Sequence, residues 1–76
     1  MEIVDFIKNF ANQFDDTDLS EFKPETKFRE MEEWSSLIAL AELNMIGKKY
    51  NVLLKHEEMK TTNTIQELFD LVKSKK

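Results

Sequence analysis

Apolar residues Ile3, Phe6, Ile7, Phe10 and Phe14 fall at i, i+3, i+4, i+7 and i+11, with Glu2, Asp5, Lys8, Asn9 and Asn12 around them. That spacing makes one stripe of an amphipathic helix. Glu2 and Asp5 sit in its first turn, where carboxylates complement the helix dipole, and Asp15, Asp16, Thr17 and Asp18 stop it. From Asp15 to Ser35 the period is lost. Pro24 disfavours helix at Lys23, yet Leu19, Phe22, Phe28, Met31 and Trp34 recur among the charges. A solvated linker would not carry three aromatics. The segment is therefore predicted to lie on the core as a long loop, with a short helical turn inside it.

A second helix is predicted from Ser36 to about Tyr50, with Ala39, Leu43, Ile46 and Tyr50 as its core stripe. Leu37, Ile38, Leu40, Ala41 and Met45 lie off that stripe, so its first turns are apolar nearly all round, and either more protein packs there or something docks there. Gly47 disfavours helix by roughly 1 kcal/mol relative to Ala, which points to a close packing contact or early fraying. Asn51 to Lys55 reads as a turn with Val52 and Leu54 inward, and His56 to Lys60 as one short helical turn. Thr64-Ile65-Gln66-Glu67 is a capping box. Ile65, Leu68, Phe69 and Val72 follow at helical spacing, and Lys73, Lys75 and Lys76 suit the negative end of the dipole. The expected fold is all-α: a small four-helix bundle with three main helices and one short one, and a long loop between the first and second. Residues 1–76 form one domain.

The 76 residues bury too little surface for a large enclosed active site, since a chain this short hides only about 60% of what its unfolded form exposes. A content of 41% hydrophobic and 34% charged residues is too apolar for a disordered chain. Cysteine is absent, which excludes disulfides and thiolate metal sites. No apolar run approaches the ~20 residues needed to span a bilayer, and the start of the sequence has no signal pattern. A cytoplasmic monomer is expected. The net charge of −4 opposes nucleic-acid binding. It is unevenly spread: residues 1–35 carry ten acids and four bases, and residues 36–76 five acids and seven bases.

Candidate chemistry is sparse. His56-Glu57-Glu58 suggests a metal site only weakly, because Lys60 breaks the His-Glu-x-x-His pattern and a solvated helix start explains the cluster better. One His and no Cys give little for acid–base or nucleophilic catalysis, so neither an enzyme nor a metal site is expected. Ser35-Ser36-Leu37 remains. Taken alone, a Ser ahead of an apolar helix is most often a cap.

The surroundings of these three residues add a resemblance. Phe28, in Lys27-Phe28-Arg29-Glu30, stands eight positions before Ser36 of Ser36-Leu37. A helix closing on Tyr50, the apolar turn Val52–Leu54, acids at Glu57 and Glu58, and Thr64-Ile65 follow without a gap. Along nearly its whole length the chain resembles the acyl carrier protein family, in which an Asp-Ser-Leu motif opens the second helix. The resemblance implies that Ser36 receives 4′-phosphopantetheine from coenzyme A through a phosphopantetheinyl transferase. The arm would then carry acyl or related thioesters to acyl-transferring or condensing enzymes of lipid or specialised-metabolite synthesis, with no catalysis by the chain itself. It implies an apolar cargo sheltered among residues such as Phe28, Leu40 and Ile46, and partner contacts through Leu37, Leu40 and Met45. Three departures mark a divergent subgroup: Ser35 stands where the family has Asp, Glu33 where Gly is usual, and the second helix has Glu42 as its only acid with Lys48 and Lys49 near its end. The alternative is an unmodified helical interaction module of the same fold that uses Leu37, Leu40 and Met45.

Overall fold

In the computed structural model, which describes residues 2–76, the phenylalanine stripe folds as α1, Ile3–Ala11. Phe6 and Phe10 are buried on its inner side, with Ile3 and Ile7 packed at the margin. The helix ends ahead of the aspartate run. A turn then carries Phe14 into the same cluster, with the Phe14 N–H donating to Ala11 O at 3.0 Å. α2 spans Ser36–Tyr50, the short α3 His56–Met59, and α4 Ile65–Ser74. This is the expected all-α bundle of three main helices and one short one. Asn9 of α1 donates to the Tyr50 hydroxyl at the end of α2, at 2.9 Å.

The loop between α1 and α2 belongs to the core. It holds two one-turn 3₁₀ segments, Leu19–Glu21 and Phe28–Glu30, where one short turn is predicted. Phe22 and Phe28 are buried. Ring centroids lie 5.5 Å apart for Phe10 and Phe28, 4.9 Å for Phe14 and Phe22, and 5.1 Å for Phe28 and Trp34. Such edge-on pairs add to the stabilisation from burial itself. Trp34 is half-buried against this cluster, as an anchor ahead of α2 should be. Leu19, expected inside, is exposed.

The loop also completes the start of α4. The first amide groups of a helix have no partner within it. Here Ile65 N–H donates to Thr26 O at 3.1 Å and Gln66 N–H to Pro24 O at 2.8 Å. Glu67 N–H donates to Thr64 Oγ1 at 3.1 Å, and the Glu67 carboxylate accepts from the Asn63 N–H at 2.6 Å. The capping box is formed. Thr64→Ala should lower stability by about 0.5–2 kcal/mol. A denaturant midpoint unchanged from wild type would show that the cap contributes nothing.

α2 departs from its predicted face. Its buried residues are Ile38, Ala39, Glu42, Met45 and Ile46, while Leu43 and Tyr50 are only half-buried. The inner side is thus rotated toward Ile38, Glu42 and Met45. A carboxylate is normally placed in solvent, and here Glu42 goes inside with its apolar neighbours. Gly47 shows neither a close contact nor fraying. The helix continues past it to Tyr50, and a Cβ at Gly47 would meet Val52 O at an ordinary 3.9 Å. The turn after α2 buries Val52 and Leu54 as predicted.

Candidate functional site

Two adjacent serines stand at the head of α2, and the structure gives them different work. Ser35 is extended, with φ −153° and ψ 171°, and its Oγ accepts the Ile38 N–H at 3.2 Å. It is the cap. Ser36 is the first helical residue and is exposed. Among the described residues its hydroxyl takes part in no hydrogen bond.

The loop holds this helix head from two sides. Glu33 gathers the start of the loop: it accepts from the Asp15 N–H at 2.7 Å, the Asp16 N–H at 3.1 Å and the Thr17 hydroxyl at 2.6 Å. The Thr17 hydroxyl bond, then the Asp15 amide bond, hold the Glu33 carboxyl below its ordinary value of 4.5. A glycine at this position would lack these bonds. Arg29 reaches the opposite way, donating to Lys60 O at 2.9 Å and to Asn63 Oδ1 at 2.7 Å. It ties the loop to the end of α3.

On the Arg29 side lies a cleft of about 210 Å³ with Ser36 in its lining. Trp34, Ala39 and Met59 form apolar walls, and Arg29, His56 and Lys60 line it alongside Ser35 and Ser36. The positive end of the α2 dipole opens at the same place, so this corner suits an anion next to an apolar group. A larger open groove of about 770 Å³ lies elsewhere, among Asp16, Glu21, Glu30, Glu32 and Glu33, and its carboxylates repel anions.

Leu37 and Leu40, predicted as partner contacts, are 76% and 56% exposed on the outer side of α2. Met45 is not with them. At 5% exposure it belongs to the core, because the rotation that takes Glu42 inside takes Met45 with it. The expected cargo lining is also divided: Phe28 and Ile46 are fully buried, whereas Leu40 faces outward. Sequence reasoning missed Arg29 and Glu42. Glu42 had a signal in its spacing of three from Ala39 and four from Ile46. Arg29 had none beyond following an aromatic anchor.

Fold and site define a small all-α bundle that presents one uncommitted serine at a helix head beside a basic-rimmed cleft. No known protein family, curated protein or solved structure matches the chain.

Proposed function

We propose that the chain is a carrier protein whose Ser36 hydroxyl is joined to 4′-phosphopantetheine, drawn from coenzyme A by a phosphopantetheinyl transferase. The observation that carries this reading is the division of labour between the serines: Ser35 caps the helix, so Ser36 is free to be modified without loss of the cap. A phosphodiester on Ser36 meets the helix dipole and the basic residues Arg29 and Lys60, and the apolar walls of the cleft receive the beginning of the arm. The arm supplies the thiol that a chain without cysteine lacks. Acyl-transferring or condensing enzymes of lipid or specialised-metabolite synthesis then act on the thioester.

Burial of Glu42 leaves the exposed surface of α2 with no carboxylate, and Lys48 and Lys49 lie exposed near its end. Partners therefore rely on apolar contact with Leu37 and Leu40. The same exposure favours a second reading, an unmodified interaction module of the same fold.

Intact mass after incubation with coenzyme A and a broad-specificity transferase separates the two. Wild type should gain one phosphopantetheinyl group and Ser36→Ala none. Ser35→Ala should still be modified, though less stable by about 1 kcal/mol. Modification that persists in Ser36→Ala overturns the assignment, and a wild type that gains no mass leaves the interaction module.

A further inference from the structure

Glu42 is fully buried on the inner side of α2, with Ile38 and Ala39 one turn before it and Met45 and Ile46 one turn after. Neither of its carboxyl oxygens has a hydrogen-bond partner. Folded proteins leave few buried polar groups in that condition, and each calls for a reason. No step of the proposed modification uses this group. Desolvation pushes its pKa up to about 10, so at neutral pH it is an uncharged acid able both to donate and to accept a hydrogen bond.

Its position relates it to Ser36. Ala39 forms part of the cleft wall beside Ser36 and also belongs to the buried side of α2 that holds Glu42. Ala39 and Glu42 are three positions apart, about 4.5 Å along a helix axis. The arm begins along Ala39 and Met59, and a cargo carried at its end that folds back into the bundle on this side of α2 reaches the buried side that holds Glu42. A plain alkyl chain would leave that acid as unpartnered as before. An ionised cargo would need a charge desolvated beside it, which burial opposes.

We propose that Glu42 is the interior contact for the tethered cargo, and that the cargo is an acyl chain bearing a neutral hydroxyl group. This rests on the carrier reading of Ser36. The hydroxyl replaces the missing partner, so the bundle selects among chains of equal length by an internal hydrogen bond.

The test loads wild type and Glu42→Leu, through the transferase, with the coenzyme A thioesters of octanoate and of octanoates hydroxylated at carbon 3, 5 or 7. Cleavage of each thioester by hydroxylamine then reports how well the cargo is sheltered. In wild type, at least one hydroxyoctanoyl chain should be cleaved about two- to tenfold more slowly than octanoyl, the range that one net hydrogen bond produces. Glu42→Leu should lose that preference, and Glu42→Gln, which keeps donor and acceptor, should retain it. Should the leucine variant fail to fold, Glu42→Met serves the same purpose. Equal cleavage of all cargoes in loaded wild type, or a preference that persists without the carboxyl, overturns this inference alone. Failure of wild type to accept any arm at Ser36 overturns the carrier reading and this inference together.

Discussion

Raising the pH from 5 to 8 is expected to destabilise the wild-type chain, and Glu42→Gln to remove most of that dependence. The sign follows from where the proton resides. Burial raises the Glu42 pKa from 4.5 to about 10 in the folded chain. Between those values the folded state keeps a proton that the unfolded state has released, so stability falls as pH rises. The slope for one such group reaches about 1.4 kcal/mol per pH unit. A domain of this size has a total stability of roughly 4–11 kcal/mol, so two or three units remove a large part of it. Glu33 and Glu58 act in another window. Hydrogen bonds from Thr17 and Asp15 lower the first, and those from Lys75 and Lys55 lower the second. What they contribute is present above 4.5 and is lost as pH falls through their folded values. Denaturant midpoints across the pH series, followed by Trp34 fluorescence, measure the effect. Parallel curves for wild type and Glu42→Gln would mean that the carboxyl is not held neutral inside the bundle.

Phe28→Ala should cost about 3–5 kcal/mol, the usual loss for a fully enclosed phenylalanine. This residue sits in a connection, where truncation is normally harmless, but here its ring is buried against Phe10 and Trp34. Its loss frees the tryptophan that precedes the two serines and loosens Arg29, the residue that ties the loop to α3. Trp34 emission should shift toward that of free tryptophan, and, on the proposed carrier function, transfer to Ser36 should slow. Leu19→Ala, in the same loop but exposed, should stay within about 0.5 kcal/mol of wild type. A loss below ~1 kcal/mol for Phe28→Ala would show that the loop is not part of the core.

Periodicity identified the helices because each presents one apolar stripe to one core. α1 and α4 are the clear cases, and the capping box marked the start of α4 to the residue. The aromatics at Phe22, Phe28 and Trp34 likewise revealed that the loop is structural. What periodicity could not provide is the rotation of α2. Its first turns are apolar on nearly every side, so several faces satisfy the same pattern. Met45, which lies off the chosen stripe, was misplaced for that reason. The site was legible in part. A serine before an apolar helix is visible in the chain, but which of two serines caps the helix depends on backbone angles at Ser35. The contacts of Glu33 and Arg29 join positions 16 to 34 residues apart, and those to the Asp15 and Asp16 amides and the Lys60 carbonyl use backbone groups, which leave no trace in residue identity.

The bonds from Ile65 and Gln66 to Thr26 and Pro24 impose an order in time. They join positions about forty apart, with Lys27 and Thr64 bridged beside them. Contacts so distant form only after the entropy of closing the intervening chain has been overcome. During synthesis, the loop that steadies Ser36 can settle only once residues 64–66 have left the ribosome. A nascent chain stalled before that point would display the serine on an unsupported helix head. On the proposed carrier function, a transferase that reads the assembled cleft would therefore modify finished molecules and pass over unfinished ones.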